Sequence, residues 1–198
     1  MMRRYGRNAK GRRGRLPKAL MLVVAASLSS GCGYSEILEL DGQAAAAWNE
    51  IEVQLQRRAE MVPSLVETVM SYVVVDDAVV VAISDARARL AGAVRSGDLV
   101  EMEGANAELC NGLESLLATA SRYPDLQADG GFQLLRSQLR ETEEQITTAG
   151  RAYNEAVRHY NDYIAGFPQL VVAKVVGMDR REPFVPGGGT TEMPAADE

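Results

Sequence analysis

Residues 151–168 read RAYNEAVRHYNDYIAGFP. Two Tyr-Asn pairs, Tyr153-Asn154 and Tyr160-Asn161, stand seven residues apart, and the stretch closes on Phe167-Pro168. Seven residues are close to two helical turns, so the two tyrosines lie one above the other on a single face. A tyrosine can bury its ring while its hydroxyl finds a partner, which gives a helix seam specificity as well as area. Upstream, Leu135, Leu139, Thr142, Ile146 and Gly150 lead into Tyr153, Val157, Tyr160, Ile164 and Phe167 at steps of three and four. That spacing predicts one long helix over about residues 132–165 with a near-heptad seam, stopped by Gly166 and Pro168.

The same periodicity recurs toward the N-terminus. Trp48, Ile51, Leu55, Ala59, Val62, Val66, Val69 and Val73 form one apolar stripe, with Asn49, Glu50, Gln54, Gln56, Arg57 and Glu60 as its water-facing side. Pro63 falls inside this helix and cannot donate a backbone hydrogen bond, so a kink or a fresh start is expected there. The valine-rich residues 73–81 have strand propensity, but no partner strand is in sight, so the stretch is read as helix with a restart possible near Asp76 or Asp77. Helical spacing resumes at Ile83, Ala86, Leu90 and Val94, with Asp76 or Asp77 placed to cap a restart. Ser96-Gly97-Asp98 is a turn. A further helix over about residues 98–122 turns Leu99, Met102, Ala105, Leu109, Leu113, Leu116 and Ala120 inward, weakened at Gly104 and Gly112. Tyr123-Pro124 ends it, and residues 128–131 read as a linker. Three to five long helices joined by short turns predict an all-α, elongated antiparallel bundle. A short apolar segment over residues 170–176 packs back, Phe184 pins the end, and residues 186–198 form a disordered tail.

The first thirty-one residues read as an address. Eight basic residues and no acidic one precede an apolar run at residues 19–28, followed by Ser29-Ser30-Gly31-Cys32. That order is a signal peptide or an N-terminal membrane anchor, leaving residues 32–185 as the folded domain. Cys32 stands where a bacterial lipobox cysteine is diacylated, although Ser29 replaces the usual branched aliphatic residue. The alternatives are ordinary cleavage and an uncleaved anchor. Without the eight leader cations, 13 basic residues face 27 acidic ones, a charge of −14. Such a domain repels nucleic acid and anionic lipid alike. Cys110 falls in a helical pattern and reads as a small buried residue.

Reactive constellations are sparse. The one histidine, His159, reads as a surface or seam residue, too few for a histidine metal site. Gly187-Gly188-Gly189 is framed by neither strand nor helix and does not read as a phosphate loop. Asp76-Asp77, Glu143-Glu144 and Glu101 with Glu103 read as solvated acidic faces. No catalytic residue, cofactor or metal is assigned. Arg57, Arg58, Arg87 and Arg151 are candidates to pair with Glu143 or Glu155 across helices, and Arg151 with Glu155 along one helix.

With these residues in view, the chain resembles the LemA family over about residues 48–184. The resemblance rests on Trp48, Leu55-Gln56-Arg57-Arg58, residues 61–66, Ala86-Arg87-Ala88, Arg122-Tyr123-Pro124, residues 143–146 and residues 151–168. Glu144 and Val75-Asp76 depart from the family pattern. The resemblance implies an elongated helical bundle in the bacterial cell envelope, held at a membrane by its N-terminus, and it brings no enzymatic activity. The expected function is a membrane-tethered protein-interaction module for an envelope protein, with self-association as a homo-oligomeric spacer and a carboxylate- or metal-dependent enzyme as alternatives. Its interaction or structural residues would be Trp48, Arg57, Arg58, Arg87, Tyr123, Pro124, Arg151, Tyr153, Asn154, Tyr160, Asn161, Phe167 and Pro168.

Overall fold

The computed structural model describes the chain over residues 18–186, with side chains from residue 33. The expected tail beyond residue 186, the first seventeen residues and the Cys32 side chain lie outside the described residues. Among the described residues six helices follow one another: α1 (Lys18–Met70), α2 (Asp77–Ser96), α3 (Leu99–Ala120), α4 (Pro124–Ala128), α5 (Gly130–Ala165) and α6 (Gln169–Val176). Among the described residues there is no strand, and the architecture is an all-α bundle.

The two longest helices, α1 and α5, run antiparallel. Ile37 meets Tyr160 and Ile164 in one apolar cluster, Trp48 meets Tyr153, and Arg58 meets Glu143. The apolar stripes read from the sequence explain the pairing: Ile51, Leu55, Ala59, Ile146, Tyr153 and Val157 are all buried. Helices α2 and α3 form a second antiparallel pair, with Ile83 against Gly112 and Arg89 bound to Glu108. This pair covers the later half of α1, while α6 covers the earlier part beside Ile37.

The breaks between helices have local causes. Helix α1 ends at Met70, and Asp76 starts α2 by accepting the Ala78 N–H at 2.9 Å. Between them residues 71–76 leave the helix expected to run on through this stretch, and burial alternates there: Val73 and Val75 are buried while Val74 is 99% exposed. Gly97 closes α2 at φ 69°, a left-handed conformation that glycine adopts without a Cβ clash. Asp98 then caps α3 through the Glu101 N–H, and Asp129 caps α5 through the Phe132 N–H.

Four further expectations need correction. Of the kink or fresh start expected at Pro63, the fresh start does not occur: helix α1 continues through it. The proline sits on the exposed side, and burial of Val62, Leu65 and Val66 at ~1.5–3 kcal/mol each outweighs the ~3 kcal/mol interior proline penalty. Gly130 and Gly131 are not linker, because the Asp129 cap draws them into α5. Gln54 is buried, not water-facing. Phe167 is 86% exposed, because Gly166 at ψ 152° leaves the helix and carries the next residue off the seam. Among the described residues no helix is long and apolar enough to cross a membrane.

The glycines of α3 separate propensity from packing. A Cβ at Gly104 meets nothing within 4 Å, whereas one at Gly112 would stand 2.7 Å from Ile83 Cγ1. Gly104→Ala is expected to stabilise the fold by roughly 0.5–1 kcal/mol through helix propensity. Gly112→Ala should instead destabilise it by about 1–3 kcal/mol through overpacking between α2 and α3. Denaturant unfolding of both variants checks this, and equal shifts of the same sign would contradict the packing.

Candidate functional site

After α6 the chain turns at Gly177 and runs as an extended strap, residues 178–186, back along α5. The two Tyr-Asn pairs hold it. Tyr160 donates its hydroxyl to the Asp179 carbonyl at 3.0 Å, and Tyr153 donates to the Glu182 carbonyl at 3.0 Å. Asn161 accepts the Arg181 N–H at 2.9 Å and donates to the Arg181 carbonyl at 2.8 Å. Asn154 does the same for Phe184, at 2.7 and 2.8 Å. Each asparagine thus serves both main-chain groups of one strap residue, as a neighbouring strand would.

The register follows from two rises. One heptad advances about 10.5 Å along a helix, and three extended residues cover about 10 Å. Moving back seven residues on α5 therefore moves the partner forward three on the strap, from 179 to 182 and from 181 to 184. Both tyrosine rings are buried, and burial pushes both phenols up from their ordinary range.

Side chains finish the attachment. Phe184 is fully buried, with Trp48 edge-on to it at 6.0 Å and Trp48 tilted 5.1 Å from Tyr153. A Cβ at Gly150 would stand 3.1 Å from Phe184 Cδ1 and 3.2 Å from Pro186 Cγ, so glycine gives the strap its close approach. Arg181 lies over the Tyr160 ring and donates to Asp41 on α1 at 2.8 Å, a bond that holds its guanidinium pKa above the ordinary value. Glu103 on α3 accepts the Val185 N–H, while burial pushes its carboxyl up.

Next to the strap lies a buried arginine. Arg58 is 1% exposed and joins three helices: it donates to Asn106 Oδ1 and Cys110 Sγ on α3, at 2.8 and 3.1 Å, and pairs with Glu143 on α5. Asn106 passes the connection on by donating to the Pro186 carbonyl at 2.7 Å. Burial raises the half-buried Cys110 thiol above its ordinary pKa, against the pull of Arg58.

The other residues singled out in the sequence scatter. Arg57 is exposed, 3.8 Å from Glu141. Arg87 is half-buried, with no ion pair among the described residues. Among the described residues Arg151 reaches only Thr148, at 3.5 Å, and Glu155 faces the exposed His159 at 4.0 Å in place of Arg151. Among the described residues, no three histidine, cysteine or acidic side chains come together as a metal site would need. Tyr123-Pro124 begins α4 at the end of the bundle where α1 stops. There Tyr72 donates to the α5 cap Asp129 at 3.1 Å, and Met70, Tyr72, Val74, Val81 and Tyr123 are all exposed.

Asn106 and Gln54 were missed, yet each carried a signal. Asn106 lies on the stripe between Met102 and Leu109, and Gln54 and Arg58 fall at helical spacing between Ile51 and Val62. A polar residue at core spacing announces burial; its partner is not announced. Asp41, Glu103 and Arg181 carried no comparable signal.

Compared with known proteins, the LemA family profile matches residues 47–196. Magnetosome proteins MamQ 1 and MamQ 2 of Paramagnetospirillum magneticum are each 24% identical over 202 residues, covering 90% of this chain and 72% of theirs. Magnetosome protein MamQ of Magnetospirillum gryphiswaldense is 24% identical over 215 residues, covering 94% and 77%.

The clamp makes a graded prediction. Tyr160→Ala is expected to cost about 3–5 kcal/mol, the range of a lost core aromatic. Tyr160→Phe keeps the ring and removes only the bond to Asp179, so it should cost about 0.5–1.5 kcal/mol. Urea unfolding measures both. A loss under about 0.5 kcal/mol for the alanine variant would place the ring on the surface.

Proposed function

The chain belongs to the LemA family, and from that premise we propose that it is a membrane-tethered, non-enzymatic interaction module of the bacterial envelope. Its N-terminal segment holds it at the membrane, and its far end binds another envelope protein. The observation that carries this reading is the apolar tip where α1 gives way to α2. Val74 is 99% exposed there, between two buried valines, and Val81, Met70, Tyr72 and Tyr123 stand exposed around the same end.

Isolated surface valines need no explanation, but several apolar side chains gathered at one end mark an interaction site. The tip is well placed for that. Helix α1 runs unbroken from Gly33 to Met70, about 55 Å at ~1.5 Å per residue. Aromatic residues at the rim, Tyr72 and Tyr123, are the types enriched where proteins meet. Three supports bear on the membrane side: the basic-apolar-small order of the leader, the cysteine at its end, and relatives named as magnetosome proteins.

The experiment is recovery of the full chain from membranes in mild detergent, followed by mass spectrometry of co-purifying proteins. The wild type should retain a defined partner, and Val74→Asp should lose it at least tenfold while leaving the thermal unfolding midpoint unchanged. Val74 touches almost nothing, so this substitution does not threaten the fold. No partner across several detergents sinks the interaction reading, and a partner kept by Val74→Asp removes the tip as its site.

A further inference from the structure

The opposite end of the bundle is apolar too, and its position says what faces it. Helix α6 leaves Leu170, Val171 and Val175 exposed, and the preceding Phe167 is 86% exposed at the turn out of α5. On α6 these residues follow i, i+1 and i+5 spacing, which places them on one outward side. Lys174 lies within that side. Ala173 on the other side is buried against Ile37, Tyr160 and Ile164. Among the described residues nothing covers the outward face.

The level of this face along the bundle is fixed by α1. Gly33 lies against Gln169, where an added Cβ would stand 4.0 Å from Cγ. Five residues earlier on the same unbroken helix, about 7.5 Å away, the apolar run of residues 19–28 ends. A lipidated Cys32 and an uncleaved anchor both put the membrane at this level. Phe167, three residues past the point where Ile164 packs beside Ile37, is nearest to it.

We infer that Phe167 and the outward face of α6 form a second membrane contact, inserting into the interfacial region of the bilayer that holds the N-terminus. The partner is a lipid surface recognised by apolar partitioning, since the acidic domain offers anionic headgroups no net attraction. Buried apolar area drives such binding, and Lys174 can keep its ammonium among the headgroups while its stem lies along the apolar face. The contact fixes the tilt of the bundle on its tether and therefore where the far tip points. This inference rests on the membrane-tethered reading, and its test separates the two.

The full chain, placed by its own N-terminus in neutral phosphatidylcholine vesicles carrying brominated acyl chains, is compared as wild type, Phe167→Trp and Val100→Trp. The native Trp48 lies about 22 Å along α1 from Gly33 and serves as an internal reference. Val100 is exposed at the start of α3, away from this end. The expected result is co-flotation of all three, with a blue-shifted emission from Phe167→Trp that loses more than half its added intensity to the bromines. Val100→Trp and the wild type should be little quenched. Co-flotation with no quenching at position 167 overturns the second contact and leaves the tether standing. Failure of the wild type to float overturns both. A blue shift without quenching that grows with protein-to-lipid ratio assigns the face to a second copy, against the inference. Phe167 is nearly free of contacts, so its substitution reports on the surface and not on folding.

Discussion

Arg58 is a permanent charge held at 1% exposure, and much of the bundle is arranged to give it partners. Stripping water from a guanidinium costs several kcal/mol even after relaxation. That cost is met only if α1, α3 and α5 come together at one register, because the acceptors Asn106, Cys110 and Glu143 are spread over two other helices. A shift of either neighbour by one turn would strand the charge. Such a buried cluster adds little net stability over an apolar core of the same volume, and its effect lies in excluding alternative registers. Its Nε and the neighbouring Gln54 Oε1 have no hydrogen-bond partner among the described residues, so the compensation is incomplete.

The strap depends on this register. Asn106 uses its carbonyl for Arg58 and its amide for Pro186, so a misplaced α3 would release both. From there the Tyr-Asn pairs take over, reading main-chain groups and leaving four strap side chains exposed. A ladder of this kind is tolerant of strap sequence at positions 179, 180, 182 and 183, which are exposed, and strict at 184, where the ring fills the space that Gly150 leaves. The strap in turn ties α5 to α1 through Arg181 and Asp41 and fixes α6 against Ile37.

The outcome is a rod with different chemistry at its two ends. Apolar stripes are buried along its length, and most large exposed apolar residues gather at the α1–α2 break and around Phe167 and α6, with Val53 and Val100 exposed between. A charge-rich flank between them keeps neighbouring molecules apart, since the domain carries far more acid than base. One end adjoins the N-terminal segment and the other stands well away from it, so the geometry separates attachment from presentation.

The long helices, their stripes and a restart at Asp76 or Asp77 were legible because periodicity and capping are local: neighbours in sequence are neighbours on the helix. Asp98 and Asp129, by contrast, read as turn and linker and proved to be caps. The seam of Tyr153, Val157, Tyr160 and Ile164 could be read on one line of sequence for the same reason. What the Tyr-Asn heptads hold could not. They read as a helix-on-helix surface, and only the folded chain showed that three extended residues match seven helical ones. Pro63 does not end its helix because the penalty is local while the burial that overrides it comes from other helices. Phe167 misled because the seam periodicity was extended one residue past the glycine that breaks it. Arg58 was recognised as a pairing candidate, but Asn106, Asp41 and Glu103 gained their roles from residues 48 to 140 positions away. The sequence by itself determined the long helices and the main apolar face of each, since both follow from the order of apolar and polar side chains. The tertiary structure alone decided which polar group meets which, because a hydrogen bond requires two atoms within about 3 Å, and no pattern along one chain states which distant atoms will arrive there.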